Sequence, residues 1–334
     1  MGTLAPPVAA VRVAVRRALA GVRADSLVLV ACSGGADSLA LAAATAFVAP
    51  RLGLRAGLVT VDHGLQPGSA ARAKAVAEWG RALSLDPTEV LTVDVAARAG
   101  GPEAAARDAR YAALTEAARS LGAAAVLVGH TRDDQAETVL LALARGAGPR
   151  GLAGMPTRRE VDGVALLRPL LDVSREQTRA ACAELGLTPW EDPHNADPAF
   201  ARARVRGTAL PALVDALGPD VVDNLARTAR LLAADAEALD ALAATALGEA
   251  AAPDGALRVP ALLRLPAALR SRVLHGWARG LGAPGAALSH RHVAALDALV
   301  TAWRGQGLVW LPGGIAVGRV GDRLERWPTS AATS

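Results

Sequence analysis

Cysteine and lysine are nearly absent from this chain of 334 residues. The two cysteines, Cys32 and Cys182, form no CxxC pair, the spacing typical of zinc knuckles and of many redox sites. This absence argues against a zinc knuckle, a disulfide framework and a sulfur transferase that carries persulfide sulfur. Lys74 is the only lysine among 36 basic residues. Arginine suits two-pronged contacts with phosphate, and the net charge of +4 is compatible with a nucleic-acid partner.

Aromatic residues and long apolar runs are scarce as well. The chain has six tryptophans, two phenylalanines and one tyrosine, which is too few for a broad platform that stacks single-stranded bases. No stretch of 18 or more residues lacks a charge or a turn former, so no membrane-spanning helix is predicted. The first positive charge is Arg12, so the basic start of a secretory signal peptide is missing. We therefore expect a soluble, cytoplasmic protein without a membrane partner.

Short apolar runs alternate with helical segments of ten or more residues in the first half of the chain. This alternation is typical of an α/β fold with a doubly wound, mostly parallel sheet. The four candidate strands lie at 27–32, 58–61, 88–93 and 124–129. Ligands of such sheets bind at the carboxyl ends of the strands, and the polar clusters of this sequence fall at those ends.

The character of the sequence changes at Pro219. From there the pattern is helical, with leucine or alanine recurring every seven residues from Leu225. A helix docked on its own protein is the favoured interpretation, and a coiled-coil homodimer is the alternative. After this helix, two short helices and glycine-punctuated strands predict a small α+β domain. We therefore predict three segments: a catalytic domain at 1–218, a helical linker at 219–252 and a C-terminal domain at 253–334.

A glycine-rich loop joins the first predicted strand to the helix that follows. It reads Ser33-Gly34-Gly35-Ala36-Asp37-Ser38. The backbone amides of such a loop and the helix N-terminus converge on an anion, which predicts a phosphate-binding loop. Its spacing is neither that of the GxxxxGK[ST] loop nor that of the GxGxxG dinucleotide folds. Asp37 is suited to hold the Mg²⁺ that accompanies phosphates. An ordinary glycine turn capped by Ser38 is the alternative.

A second polar cluster opens the helix after the fourth predicted strand. It reads Gly129-His130-Thr131-Arg132-Asp133-Asp134-Gln135-Ala136-Glu137-Thr138. His130 and the three carboxylates of Asp133, Asp134 and Glu137 share one face at helical spacings of three and four. Three carboxylates beside one imidazole repel each other unless they meet cations, which favours a binding site. A solvated helix start, with acids stabilised by the helix dipole, is the alternative.

These motifs resemble those of a known enzyme superfamily. SGGxDS after a strand is similar to the PP-loop of the N-type ATP pyrophosphatases, which have an adenine nucleotide alpha-hydrolase-like fold and split ATP between its α and β phosphates. Within that superfamily, residues 129–138 resemble the GHxxDDQxET signature of the tRNA(Ile)-lysidine synthetases, and 145–155 resemble their RGxGxxGLxGM. Further similar segments follow in the family's order at 61–65, 106–111, 168–171 and 191–206, so that the resemblance runs over residues 26–213.

The resemblance implies an ATP-dependent ligase. Enzymes of this family convert the wobble cytidine of an isoleucine tRNA with a CAU anticodon into lysidine. ATP adenylates the carbonyl oxygen at C2 of the cytosine with release of pyrophosphate, and the amine of free L-lysine then displaces AMP. The expected cofactors and partners are therefore ATP, Mg²⁺, L-lysine and this tRNA.

The resemblance also implies roles for individual residues. Those expected to bind ATP are Ser33, Gly34, Gly35, Ala36, Asp37, Ser38, Asp62 and His63. Asp37 is expected to hold Mg²⁺ as well, because a leaving pyrophosphate needs amide donors and a metal ion. Asp134 and Glu137 are expected to bind lysine, because a cationic amino acid needs anions.

Three further residues complete the expected catalytic set. Arg107 and Arg110, one helical turn apart, are expected to neutralise the α phosphate or to orient the base, with surface arginines as the alternative. His130 either orients the α phosphate, which we favour, or shuttles a proton.

The arginines of the segment 200–206 are expected to bind tRNA. Arg202, Arg204 and Arg206 stand at alternate positions with no expected buried face, which suits contacts to the RNA backbone. A solvated arginine face is the alternative, and the C-terminal domain is a further expected tRNA contact. Gln66 and Ala203 depart from the family pattern, which commonly has arginine and asparagine at these positions.

Three other functions compete with this interpretation. A tRNA cytidine thiolase of the same fold needs cysteines to carry sulfur or a cluster, which Cys32 and Cys182 do not supply as a pair. An amidotransferase-coupled synthetase needs a nitrogen-supplying domain, and none is recognisable in the sequence. A non-enzymatic RNA-binding protein is least favoured, because the acids at Asp37, Asp134 and Glu137 are intact.

Overall fold

A six-stranded sheet organises the first of two units of the chain, Met1–Ala233. Its strands are β1 (Leu27–Ala31), β2 (Arg55–Asp62), β3 (Thr88–Thr92), β4 (Ala125–Val128), β5 (Arg158–Val161) and β6 (Val164–Leu167). Their order is β3-β2-β1-β4-β6-β5, and all neighbours are parallel except β5 and β6. The predicted mostly parallel sheet is confirmed, and the four predicted strands are present with slightly shifted bounds.

Helices surround this sheet in the part of the chain that the computed structural model describes. That part comprises residues 4–62, 64, 68–93, 102–192, 197–285 and 287–328, with the backbone alone for 102–106. The helices are α1 (Pro6–Leu19), α2 (Ala36–Val48), α3 (Ser69–Ala82), α4 (Pro102–Ser120), α5 (Arg132–Ala144), α6 (Pro149–Leu152), α7 (Arg175–Glu184), α8 (Ala201–Arg204), α9 (Leu210–Leu217) and α10 (Val221–Ala250). A 3-10 turn (Pro50–Leu52) follows α2, and a π-helical turn (Val205–Ala209) joins α8 to α9.

Strand β1 is covered by helices on both faces. Val28 and Val30 are buried in a core cluster with residues of α1 and α2. Leu27 and Leu29 are buried in a separate cluster with Leu114 of α4. A central parallel strand that is buried on both sides is apolar throughout rather than alternating. This is why a short apolar run was sufficient to predict it.

Several elements of this unit were not predicted, among them α1 and the β5–β6 hairpin. Helix α1 buries Val8, Val11 and Val15 at helical spacing and Leu19 near its end, but intervening alanines weaken that pattern in the sequence. The β5–β6 hairpin turns at Asp162 and Gly163, which both have positive φ. An Asp-Gly pair between apolar residues is a strong hairpin signal, so this element was detectable.

The second unit, Ala234–Ser334, has the predicted α+β character. It contains α11 (Val259–Leu263), α12 (Ala267–Gly280), α13 (His290–Thr301), β7 (Leu257–Arg258), β8 (Val309–Leu311), β9 (Ile315–Val320) and β10 (Arg323–Trp327). The strands form an antiparallel sheet in the order β7-β10-β9-β8. Ala243, Ala246 and Ala250 of α10 are buried in the core of this unit. Such burial is what a helix docked on its own protein requires.

The structural division between the two units lies between Ala233 and Ala234, inside α10. The sequence analysis places boundaries at both ends of this helix instead, and its three-segment division stays a prediction. The alternative of a homodimer also stays a prediction. Within the described ranges, no helix combines the length and the apolar character needed to cross a membrane.

Gln135 of α5 connects two of the sequence motifs. Its Nε2 donates to the carbonyl oxygen of Met155 at 3.0 Å, and its Oε1 accepts from the Met155 N–H at 2.7 Å. Both residues are buried. Gly154 has a φ of +67°, and a Cβ there would lie 2.5 Å from Gln135 Oε1. A side chain at this position would therefore displace Gln135 from both hydrogen bonds.

We predict that Gly154→Ala destabilises the protein by about 3 kcal/mol, because it strains a left-handed backbone and leaves buried polar groups unpaired. Gly146→Ala is the matched control, since Gly146 has a φ of +69° and no atom within 4 Å of its would-be Cβ. Strain alone predicts a loss of about 1 kcal/mol there. Urea unfolding measures both variants, and equal losses would contradict a role for the Gln135 contact.

Candidate active site

A cavity of about 590 Å³ is lined by residues that follow β1 and β4. The chain runs from β1 to β2 and β3 on one side, and then returns to β4 on the other side of β1. This reversal is a topological switch point, where doubly wound folds bind their ligands. The cavity is therefore in the position that the sequence analysis predicts for the ligand.

The loop of residues 33–38 enters this cavity between β1 and α2. Ser38 holds the loop in shape, because its Oγ donates to the carbonyl oxygen of Gly35 at 2.9 Å and accepts from the Ser33 N–H at 3.2 Å. Gly34 has a φ of +86°, a conformation that glycine adopts without strain. Helix α2 begins at Ala36, so that its free N–H groups lie at the loop, as an anion site requires.

Asp37 lies in the first turn of α2 and lines the cavity. Thr178 of α7 donates its hydroxyl hydrogen to Asp37 Oδ1. Burial raises the pKa of Asp37 to about 6, the Thr178 hydrogen bond opposes this rise, and the charge of Asp134 adds to it. Asp37 is therefore mostly ionised at neutral pH.

The donor set around Asp37 fits Mg²⁺ held together with substrate phosphates. Mg²⁺ is usually bound by one or two carboxylates plus phosphate oxygens and water. Asp37 supplies one such carboxylate beside the phosphate loop. Among the described residues, no group of three or more histidine, cysteine, aspartate or glutamate side chains is arranged as a complete metal cage.

Asp134 and Glu137 of α5 meet arginines from two other segments. We call this group the acid–arginine cluster, and its members are Asp134, Glu137, Arg175, Arg202 and Arg206. Arg175 donates to Asp134 Oδ1 at 3.0 Å and to Glu137 Oε1 at 3.1 Å. Arg206 donates through Nε to Glu137 Oε1 at 2.7 Å and through its terminal nitrogen to Asp134 Oδ1 at 3.1 Å. Arg175 and Arg206 thus supply the cations that three neighbouring carboxylates were expected to need.

Burial and hydrogen bonding act in opposite directions on Asp134. Its Oδ2 accepts from the N–H of Thr131 at 2.8 Å and from the Thr131 hydroxyl at 3.0 Å, which caps α5. Burial alone would raise the pKa of Asp134, but Arg175, Thr131 and Arg206 outweigh burial and lower it. Asp134 therefore stays ionised, and Glu137 beside it is fully buried.

The segment that carries Arg202, Arg204 and Arg206 is helical. Arg202 and Arg206 are four residues apart and both reach Glu137, with Arg202 Nε 3.8 Å from Glu137 Oε2. Arg204 is exposed and donates to the carbonyl oxygens of Pro198 and Ala199. The segment contains no buried residue, as expected, but it is helical, and a helical period separates Arg204 from its two neighbours, which lie beside Glu137.

The π-helical turn at Val205–Ala209 contains Arg206. Single π turns inside helices are rare and occur frequently at functional sites. The turn supports an assignment of Arg206 to the site but does not by itself identify its ligand. The assignment of all three arginines to tRNA stays a prediction.

His130 follows β4 and lines the cavity. Its Nδ1 accepts a hydrogen bond from Arg168 Nε at 3.3 Å. Burial lowers the pKa of His130 to about 3; the charge of Asp134 opposes this shift, and the charges of Arg168, Arg110 and Arg202 add to it. The imidazole is therefore neutral at physiological pH.

The two predicted arginines of α4 differ in their positions. Arg110 lines the cavity, and burial lowers its pKa. Arg107 is exposed, with its guanidinium carbon 5.7 Å from the centre of the Tyr111 ring. Only Arg110 of this pair is therefore among the described cavity residues.

Asp62 is buried at the end of β2, and its Oδ1 accepts from the Gly64 N–H at 3.0 Å. His63 and Gln66 lie outside the described residues.

The two cysteines are buried. Burial raises the pKa of the Cys182 thiol to about 11 and also raises the pKa of the Cys32 thiol. Neither thiol is therefore activated for sulfur chemistry.

Several site residues were missed by the sequence analysis. They are Arg168, Arg175, Thr178 and Trp190, whose N–H donates to the carbonyl oxygen of Gly34 at 2.9 Å. Arg168 opens a segment that resembles a family motif, which was its only signal. Arg175 and Thr178 begin an ordinary amphipathic helix whose polar positions read as solvent-exposed, so that no local pattern identified them.

We predict that Arg206→Ala lowers the free energy of unfolding by about 1–3 kcal/mol, because it leaves the buried carboxylate of Glu137 short of donors. Arg204→Ala is the matched control. It removes the same charge from an exposed position of the same segment and is expected to cost about 0.5 kcal/mol. Urea unfolding compares the two variants, and equal stabilities would show that Arg206 does not neutralise Glu137.

Two regions of the chain match models of known protein families. Residues 10–213 match the model of the PP-loop domain, and residues 257–325 match that of the TilS substrate binding domain. The chain is 17% identical to the U34-tRNA thiolase NcsA of Methanococcus maripaludis, a structure with a [4Fe-4S] cluster. That match has a TM-score of 0.56 and covers 68% of this chain and 80% of that one. At this identity the likeness shows the fold alone.

Two curated relatives match almost the whole chain. The tRNA(Ile)-lysidine synthase of Salinispora tropica is 71% identical over 324 residues, which are 97% of this chain and 97% of that protein. The tRNA(Ile)-lysidine synthase of Thermobifida fusca is 60% identical over 308 residues, which are 92% of this chain and 94% of that protein. Because identity at this level extends through both units, the chain belongs to the tRNA(Ile)-lysidine synthase family.

Proposed function

We propose that this protein ligates L-lysine to C2 of the wobble cytidine in the CAU anticodon of isoleucine tRNA. ATP adenylates the C2 carbonyl oxygen and releases pyrophosphate, and the lysine amine then forms the new C–N bond as AMP leaves. One observation carries this proposal beyond family membership. Asp37 of the phosphate loop and Asp134 of the acid–arginine cluster line the same cavity. An adenylated cytosine at the loop would therefore lie next to a lysine bound at the cluster.

The phosphate loop is the proposed ATP site. Its amides and the N-terminus of α2 are suited to the α and β phosphates, and Asp62 and His63 are assigned to the adenosine. Mg²⁺ at Asp37 would stabilise the charge on the leaving pyrophosphate. Arg110, which lines the cavity, is assigned to the α phosphate, with Arg107 as its neighbour on the helix.

Asp134 and Glu137 are the proposed lysine site. Both carboxylates are paired with Arg175 and Arg206, so a lysine ammonium must replace one guanidinium. The Arg206 side chain is 29% exposed and that of Arg175 is 17% exposed. Displacing Arg206 from the cluster therefore requires less free energy than displacing Arg175, because the Arg206 side chain is less buried.

The segment 202–206 is the proposed link to tRNA. When Arg206 leaves Glu137, its guanidinium becomes available to an RNA phosphate, beside the exposed Arg204. Lysine binding and tRNA binding would then favour each other, since each takes a partner from the same ion pair. We further propose that residues 257–325, which match the TilS substrate binding domain, contact the tRNA, and that the protein acts in the cytoplasm.

We predict that the purified protein attaches radiolabelled lysine to unmodified isoleucine tRNA with a CAU anticodon. Attachment should require ATP and a divalent cation and release one pyrophosphate per lysine, because activation proceeds through an adenylate. A methionine tRNA transcript with the same anticodon and a reaction without ATP are the controls. Incorporation of sulfur would support a thiolase instead, and tRNA binding without any incorporation would support a non-enzymatic RNA-binding protein.

We predict that Glu137→Gln raises the lysine KM by about tenfold to a hundredfold, because a charge-assisted hydrogen bond contributes about 1.5–3 kcal/mol. The KM for ATP should change by less than about threefold, a shift below 1 kcal/mol. Glu160→Gln, at an exposed position that pairs with Arg158, is the control for loss of one charge. Equal increases in both KM values would move Glu137 from the lysine site to the ATP site, and thermal unfolding verifies that each variant is folded.

A further inference from the structure

Arg168 is a buried arginine directly after β6. It is 3% exposed. Its Nε donates to His130 Nδ1 at 3.3 Å, and its NH1 group donates to the carbonyl oxygen of Pro156 at 2.8 Å. Its own N–H donates to the carbonyl oxygen of Thr157 at 2.8 Å. The guanidinium is thus held from two sides, with one of its N–H groups directed at the imidazole.

Arg168 has no ion-pair partner among the carboxylates that the structure describes. This differs from Arg175 and Arg206, which neutralise Asp134 and Glu137. A buried cation without a carboxylate costs free energy. Its contact with a histidine of the cavity therefore suggests a functional reason for its position.

The hydrogen bond from Arg168 determines which nitrogen of His130 carries the proton. An arginine side chain is protonated throughout the working pH range and has only donors. His130 Nδ1 must then be the acceptor, so the proton of the neutral ring lies on Nε2. No described residue donates to Nε2 or accepts from it, and His130 lines the cavity.

Groups around His130 keep the ring neutral as well. Burial is the main reason that the pKa of His130 is lowered, and Arg168, Arg110 and Arg202 add to this effect. Asp134 opposes it by favouring the charged ring. The ring therefore presents an N–H to the cavity but neither a positive charge nor a free lone pair.

We infer that Arg168 is a positioning residue that holds His130 as the neutral Nε2–H tautomer, so that His130 acts in the reaction as a hydrogen-bond donor. This inference rests on the proposed function. The acceptor is an oxygen that gains negative charge, on the α phosphate or at C2 of the base. A neutral imidazole is known to act in this way as an electrophile in other enzymes. The proton that the lysine amine loses then passes to an acceptor other than His130.

The first test is a measurement on the wild-type protein. Long-range ¹H–¹⁵N NMR of the full chain, labelled with ¹⁵N at its six histidines, distinguishes the two tautomers, and His130→Gln identifies the signal of His130. We expect Nε2 to be protonated, Nδ1 to be unprotonated and both shifts to stay constant from pH 5.5 to pH 8. An Nδ1–H tautomer, or a ring that titrates near pH 6.5, would overturn the inference.

The second test separates positioning from a merely structural role. Arg168→Met is expected to lower kcat about tenfold to a hundredfold, with KM for ATP and for lysine changed less than about threefold. It should also introduce an acid limb in the pH profile of kcat, because the ring loses a nearby positive charge and begins to titrate. Arg168→Lys retains a charged donor and should restore part of kcat and remove that limb.

The outcomes distinguish this inference from the proposed function. Equal losses in Arg168→Met and Arg168→Lys, with an unchanged pH profile, would show that Arg168 only supports the fold. If neither variant folds, the NMR result on the wild-type chain decides. If the wild-type protein shows the Nε2–H tautomer but ligates no lysine, the proposed function fails, whereas the assignment of the tautomer stands.

Discussion

The buried carboxylate of Glu137 is the constraint on which the rest of the site depends. A charge without solvent must meet cations, and Glu137 meets Arg175 at the start of α7 and Arg206 in the π-helical turn. These arginines come from segments that are distant in sequence from α5. This one carboxylate therefore holds α5, α7 and the π-helical turn together beside the cavity. Loss of either arginine partner would weaken that connection.

Helix α7 extends this constraint to the phosphate loop. Its first turns supply Arg175 to the acid–arginine cluster and Thr178 to Asp37. The N–H of Arg175 also donates to Asp133 at 2.8 Å. A short helix that was not recognised as part of the site thus connects the phosphate loop with the acid–arginine cluster through hydrogen bonds.

The sequence predicted those features that depend on a few consecutive residues. The apolar run at β1 and the SGGxDS loop were recognised because strand burial and phosphate binding both leave signatures within a few residues. Arg175 and Thr178 left none, and Arg168 left only the resemblance of its segment to a family motif, since their roles arise from contacts across 38 to 141 positions of sequence. The alternation of Arg202, Arg204 and Arg206 gave no sign of Glu137 for the same reason, because a helix turns two of them toward an acid that the sequence places far away.

The site separates its ionisable groups by giving each a different set of neighbours. Asp134 has two arginines and a helix cap, and its pKa is lowered; Asp37 has one hydroxyl donor and burial, and its pKa rises to about 6. Burial, with the charges of nearby arginines, lowers the pKa of His130, so that its ring stays neutral. Near neutral pH the cavity therefore contains the ionised carboxylates of Asp37 and Asp134, which can bind cations, and the neutral imidazole of His130, which can donate a hydrogen bond to an oxygen. Because an arginine keeps its charge under burial that would shift the pKa of a lysine, arginine is suited to neutralise these carboxylates.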